Sequence, residues 1–211
     1  DDAKLAKDLP AVLERAAQNG LVGMATIGCD LRSSLFALHL AEKYPQVTCA
    51  VGVHPSDCGE LNDKSFADLA ELAAAPAARA VGEIGLDYYW DNESHDTQKK
   101  WFIRQLELAR ELNLPVNIHS REAAQDTMEI VKEHGRSLKG VIHCYSYSKE
   151  MALEYVKLGY YIGVGGVVTF KNAKRLKDTV EAVPLTAVVL ETDCPYLAPE
   201  PYRGRRNNST Y

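Results

Sequence analysis

Apolar residues in this chain come in short runs. Each run is closed by a polar tip and followed by a stretch in which apolar positions recur every three or four residues. The runs are residues 23–28 (GMATIG), 48–54 (TCAVGVH), 79–85 (RAVGEIG), 115–119 (PVNIH), 140–143 (GVIH), 160–165 (YYIGVG) and 187–193 (AVVLETD). They are nearly continuous in Val and Ile, without clean alternation, as strands buried on both faces are. Between them, residues 97–112 place Phe102, Leu106, Ala109 and Leu112 on one helical face and turn Lys100, Arg104, Glu107 and Glu111 away from it. Residues 122–134, 149–158 and 173–183 follow the same period. Strand alternating with helix predicts a parallel sheet with crossover connections.

The spacing narrows the fold. Successive strand ends (Gly28, His54, Glu83, His119, His143, Gly165, Asp193) fall 22 to 36 residues apart, close to one βα unit of a barrel of about 250 residues and eight strands. The expectation is an α/β fold, a TIM-type (β/α)8 barrel forming one domain over residues 1–211. An open doubly wound sheet is the competing architecture, but it carries a glycine-rich phosphate fingerprint after its first strand. Here Gly163, Gly165 and Gly166 follow a late strand and lack that spacing. Residues 9–19 read as an amphipathic helix with Asp8 as its cap and Pro10 in its first turn. A barrel entered at a helix lacks its first strand, and one that stops at Tyr211 lacks its closing helix. The domain is therefore expected to be incomplete at both ends, with a first strand upstream, because a barrel short of one strand has open edges.

Composition changes this picture only at the margins. The 211 residues suit one domain with a sizeable core. No apolar run approaches the roughly 18 residues a bilayer requires, and no signal pattern opens the chain. A cytoplasmic address follows as the default. The five cysteines (Cys29, Cys49, Cys58, Cys144, Cys194) are scattered and odd in number, which fits reduced thiols better than a disulfide framework. Cys144 and Cys194 stand beside candidate site residues, yet small buried filler is the reading preferred for them. A net charge of −5 argues against a broad basic face for long duplex DNA, though not against a cleft that takes a strand end.

The chemistry lies at the polar tips. In parallel barrels the active site sits at the C-terminal ends of the strands, and those ends carry His54, Glu83 with Asp87, His119 with Arg121, His143, and Asp193. Imidazoles with carboxylates suit Zn, Mn, Ni or Fe(II), and the carboxylates leave Mg open. Glu83 sits inside VGEIG, where a buried carboxylate demands a cation or a partner. His119 and His143 read either as core histidines or, taken as a set, as ligands. Asp193 reads as a ligand or general base, against a turn cap before Pro195. His54 is divided between supporting the site and shaping the turn at Pro55. His39, His95 and His134 read as solvated surface. Arg121 is suited to fork onto a phosphate, or else to pair with Glu122 or Asp87. Arg203, Arg205 and Arg206 form a basic knot that reads equally as a phosphate clamp and as a solvated loop. Tyr88, Tyr89 and Trp90 could stack on a base, although loop packing is the commoner use of such a cluster.

At these positions the chain resembles the TatD family of metal-dependent deoxyribonucleases. The resemblance runs through VGVHP (51–55), VGEIGLDYYW (81–90), PVNIHSREA (115–123), VIHCYS (141–146), YIGVGGVVTFKNA (161–173), VVLETDCPYL (188–197) and PYRGRRN (201–207), in order. It implies that Glu83 bridges two divalent metals, that His119 and His143 hold one, and that Asp193 holds the other and deprotonates the attacking water. It also implies the chemistry of two cations roughly 3.5–4 Å apart, which activate water and stabilise the attacking and leaving oxygens. Arg121, His54, Asp87, Arg206 and Asn207 would bind substrate. The family's H-x-H, which supplies two further ligands, does not occur here, and Asn208–Ser209 stand where Glu-Pro is common. The activity implied is phosphodiester cleavage at DNA ends, or of a small phosphoester, with two metal ions (Mg, Zn, Mn or Ni). No membrane and no obligate protein partner is implied. Two alternatives are an amidohydrolase-like esterase or amidase acting on a small molecule, and a barrel that only binds.

Overall fold

A computed structural model describes residues 3–90 and 92–211. In chain order its elements are α1 (Ala3–Ala6), α2 (Leu9–Gln18), β1 (Met24–Ile27), α3 (Leu31–Lys43), β2 (Val47–Val51), α4 (Asp63–Ala74), β3 (Ala78–Asp87), α5 (His95–Glu111), β4 (Val116–Arg121), α6 (Ala124–His134), β5 (Gly140–Ile142), α7 (Lys149–Lys157), β6 (Tyr160–Val164), α8 (Lys174–Ala182) and β7 (Val188–Leu190). All seven expected strands form. The helices α3 and α4 complete the strand–helix alternation in stretches whose bounds the sequence does not mark. Each opens on a capping box: Asp30 with Ser33 in α3, and Asn62 with Ser65 in α4. Serine replaces the usual Glu or Gln at the third position of both, which weakens the sequence signal.

The chain falls into two compact units, Gly23–Ile142 and Asp1–Val22 with His143–Tyr211. In the first, β1 to β5 pair in sequence order, and every pair is parallel. Val51, Val81, Ile84, Leu86 and Ile118 from the strands are buried with Phe102 and Leu106 of α5. A satellite cluster of Val53, Cys58, Leu61, Leu69 and Trp101 closes the space under α4 and α5. The β3–β4 register sets Gly85 opposite His119 and Asp87 opposite Arg121. Gly85 has φ of 141°, and a Cβ there would run into the His119 carbonyl oxygen. Only glycine suits this crossing, because it has no side chain to collide.

Two buried glutamines of α5 hold the strand tips. Gln98 accepts the Asp87 N–H through Oε1 at 2.8 Å and donates through Nε2 to the Asp87 carbonyl at 3.0 Å. Gln105 does the same for Val53, at 2.8 and 3.1 Å. A buried backbone amide that leaves the ladder needs such a partner. Here the helix supplies it beside His54 and at Asp87 itself.

In the second unit β6 and β7 pair in parallel, from Ile162 opposite Val188 to Val164 opposite Leu190. Tyr155 of α7 and Tyr160 of β6 are fully buried, with ring centroids 6.4 Å apart. Strand β7 is shorter than its apolar run, so Glu191 and Asp193 lie in the loop beyond it. Asp8 stands at the N-cap of α2, but its side chain makes no capping bond, which corrects the sequence expectation. Its two carboxylate oxygens instead accept a fork from Arg206, 2.8 Å each. A bidentate charged pair outcompetes a single neutral N–H for the same oxygens. Among the described residues, no helix is long and apolar enough to cross a membrane.

Candidate active site

In the unit Gly23–Ile142 the polar tips of β2, β3 and β4 meet around the His119 ring. Its Nδ1 lies 3.0 Å from Glu83 Oε1 and its Nε2 lies 3.0 Å from Asp87 Oδ2. Glu83 reaches this position because its N–H bonds to the Gly28 carbonyl at 2.7 Å, turning β3 toward β1. Burial pushes the His119 pKa down, but its hydrogen bonds to Asp87 and Glu83 outweigh that and raise it. Burial also pushes Asp87 up, yet His119 and the N–H groups of Trp90 and Tyr89 hold its carboxyl below the ordinary value. Asp87 is therefore a fixed anion, with its side chain 1% exposed.

His54 completes this group. Its ring packs edge-on against His119 with centroids 4.5 Å apart, and its Nε2 is 4.0 Å from Glu83 Oε1. The Ser56 N–H donates to His54 Nδ1 at 3.1 Å, so in the neutral ring Nε2 carries the proton. Donor atoms of His54, Asp87 and His119 all lie within 4.8 Å of one another. The tautomer decides among them: His54 Nε2 is arranged to donate, whereas His119 offers a nitrogen beside Glu83. Cys29 also faces this carboxylate, its thiol 3.7 Å from Glu83 Oε2. Burial, and then the Glu83 charge, push that thiol far above its usual range, which disfavours the thiolate.

The unit containing His143–Tyr211 repeats the arrangement. His143 Nδ1 lies 2.7 Å from Glu191 Oε2, and its Nε2 faces Asp193 Oδ1 at 3.7 Å. Glu191 Oε1 accepts the Cys144 N–H at 2.7 Å, which the positive φ of Cys144 (45°) aims at it. Glu191 was absent from the residues picked out in the sequence. It stands two positions before Asp193 in ETD, where the apolar run alone does not separate the two carboxylates. Asp193 does not cap the next turn with its side chain; its carbonyl accepts the Tyr196 N–H at 2.8 Å, and its carboxylate is 47% exposed.

The guanidinium of Arg121 lies over the Tyr89 ring, 3.7 Å from its centroid, and 5.5 Å from that of Trp90. Tyr88 turns the other way, stacked on His95 at 3.5 Å with its hydroxyl donating to Asp126 at 2.7 Å. Arg206 is engaged with Asp8 and also donates to the Lys4 carbonyl at 2.5 Å. Asn207 is fully buried and donates to the Tyr196 carbonyl at 2.7 Å. Arg203 and Arg205 lie over the rings of Phe170 and Tyr202. All five cysteines are free thiols.

The donor set fits a divalent cation. Each of the two histidines has one ring nitrogen against a carboxylate that can accept its N–H: Asp87 for His119 and Glu191 for His143. With a cation bound, that partner would take the ring's one N–H and the other nitrogen would turn its lone pair to the metal beside the second carboxylate, as histidine ligands require. Imidazole with carboxylate is the donor chemistry of zinc, manganese, nickel and iron(II) sites.

Comparison with known proteins agrees. The family model described as "TatD related DNase" matches residues 1–211. A Bacillus subtilis protein named uncharacterized metal-dependent hydrolase YabD is 40% identical over 205 residues, covering 97% of this chain and 80% of that protein. An Edwardsiella piscicida protein named 3'-5' ssDNA/RNA exonuclease TatD is 36% identical over 211 residues, covering 97% of this chain and 81% of its own. The crystal structure of the Escherichia coli TatD homologue YjjV superposes with a TM-score of 0.92 at 33% identity, covering 100% of this chain and 82% of its own. That likeness gives the fold class, a TIM-type β/α barrel. The chain belongs to the TatD-related DNase family of metal-dependent hydrolases.

Proposed function

We propose that this hydrolase cleaves phosphodiester bonds of DNA, trimming strands from an end, with two divalent cations as cofactors. The observation that carries the proposal is the His119 ring held between Glu83 and Asp87, 3.0 Å from each. An anionic pair around one imidazole is a poor place for an anionic substrate unless cations stand between them. The name of the Edwardsiella relative supports a nucleic-acid strand as the substrate.

The proposed ligands are Glu83 and His119 in one unit, and His143 and Asp193 in the other. The assignment rests on family membership and on each residue's own surroundings. When bound, two divalent cations supply the charge that activates water and offsets the attacking and leaving oxygens of an in-line displacement. The protein's own groups do the rest. Asp87 and Glu191 hold the two imidazoles in one orientation and one tautomer. Asp193, the more exposed carboxylate, takes the proton of the attacking water. His54 Nε2–H and Arg121 donate to the phosphate oxygens. Arg206 and Asn207 are committed to Asp8 and Tyr196, and in this account they steady the loop after β7. The free thiols support a reducing, cytoplasmic setting.

Parallel assays on a single-stranded oligodeoxynucleotide and on lactone and amide panels test the proposal. The expected result is stepwise shortening of the oligonucleotide that needs divalent metal and stops with chelator. Inertness toward all DNA, with turnover of a lactone or amide, overturns it.

A further inference from the structure

The loop that follows β3 carries three consecutive aromatic residues, and the structure divides them. Tyr88 is used internally, between His95 and Asp126. Tyr89 and Trp90 are 49% and 59% exposed. Burying its rings is what a loop gains from packing aromatic residues, and about half of each of these two residues is left in water. They meet edge to face, with centroids 5.0 Å apart. Arg121, at the end of the neighbouring strand β4, lies over the face of Tyr89.

This shelf is also held in place. Asp87 Oδ1 accepts the backbone N–H groups of both Tyr89 and Trp90, at 3.0 and 3.1 Å. The other oxygen of the same carboxylate holds His119 Nε2. One buried anion thus fixes the backbone that carries the aromatic pair together with the candidate ligand. Exposed rings, a cation beside them and rigid attachment to a hydrolytic centre are what a strand of stacked bases with a charged backbone requires.

We propose that Tyr89, Trp90 and Arg121 form a stacking platform for a nucleobase next to the scissile phosphate, which lets the enzyme favour a base-bearing single strand over a bare phosphodiester backbone. The inference rests on the reading of the protein as a DNA hydrolase. Trp90 supplies the stacking face, Tyr89 braces it from the side, and Arg121 turns its charge toward the adjacent phosphate.

The test uses two readouts. The chain has two tryptophans, and Trp101 is buried at 3% exposure, so quenching of fluorescence by a ligand reports Trp90. With divalent metal present, a cleavage-resistant phosphorothioate oligothymidylate of about eight nucleotides should quench the wild type, and Trp90→Phe should remove the quench. In turnover assays, Trp90→Ala should raise KM about tenfold on a normal oligonucleotide and less than about twofold on one whose terminal residues are abasic. Trp90→Phe should restore KM on the normal strand to within about threefold. An absent quench, or an equal KM change on the two strands, overturns the platform. Quenching without any DNA cleavage would overturn the hydrolase reading and leave the platform standing. Cleavage without quenching would do the reverse.

Discussion

His143 Nδ1 lies 2.7 Å from Glu191 Oε2, and the same carboxylate accepts the Cys144 N–H at 2.7 Å through its other oxygen. Glu191 is thereby fixed by the backbone and in turn fixes the ring. Its counterpart is Asp87, which takes two backbone N–H groups on one oxygen and His119 on the other. The same solution appears at the ends of two different strands: a backbone-anchored carboxylate aims an imidazole.

Glu191→Ala is expected to weaken divalent-metal binding by about 10- to 100-fold, as loss of a histidine-orienting carboxylate does. Glu191→Gln, which keeps an acceptor oxygen, should recover part of the loss. Titration against a competing chelator checks both. Unchanged affinity in Glu191→Ala would mean that His143 needs no orienting partner.

Gln105→Leu should destabilise the fold by about 2 kcal/mol or more, because it leaves the buried N–H and carbonyl of Val53 without partners. Urea denaturation measures this directly. A loss under about 0.5 kcal/mol, within the scatter of neutral surface changes, would show that the strand end relaxes to other partners. The predicted loss belongs to stability first, and to activity through the displaced His54.

Gly85→Ala carries a steric prediction. The positive φ and the His119 carbonyl leave no room for a Cβ, so the variant should lose about 1–3 kcal/mol. A shift in the His119 ring resonances should accompany the loss, because Gly85 and His119 are register partners. Wild-type stability would contradict the tight β3–β4 crossing.

The Asp8–Arg206 pair predicts a pH dependence. Its hydrogen bond from Arg206 holds the Asp8 carboxyl below its ordinary value, roughly 3.9 in an unfolded chain. A carboxyl depressed in the folded state stabilises it above the unfolded pKa, and the contribution fades as pH falls through the lower folded value. The stability difference between wild type and Asp8→Asn should therefore be present at neutral pH and shrink below about pH 4. Both groups are exposed, so added salt should shrink it too. A difference that is flat from neutral pH to pH 3 would assign the effect to something other than this ion pair.

How much of this could be read from the sequence depended on what each residue touches. Strand cores such as Val188–Leu190 and Val47–Val51 are visible because burial on both faces leaves little but Val, Ile, Ala and Cys. His119 and Glu83 were legible because a polar residue in such a run needs a reason. Gln98 and Gln105 were not. A glutamine on a helix reads as surface, and only the fold shows that α5 turns these two inward onto bare strand ends. Asp8 misled for a related reason: its expected local cap lost to Arg206, 198 residues away. Glu191 lay one position past the end of its strand, where no periodicity distinguishes it from Asp193. Local pattern revealed the elements and the candidate residue types, while partners distant in sequence decided which carboxylate is anchored by the backbone, as Asp87 and Glu191 are.

In our proposal these groups serve metal-dependent hydrolysis of DNA. The most direct measurement is the rate of nucleotide release from a labelled single strand by metal-stripped protein, titrated with Mn²⁺, for wild type and His119→Ala. No release is expected without metal, with saturable activation in the wild type and a rate reduced at least about 100-fold in His119→Ala, roughly what loss of about 3 kcal/mol of transition-state stabilisation gives. Release that persists in chelator, or that is unchanged in His119→Ala, would contradict the proposal.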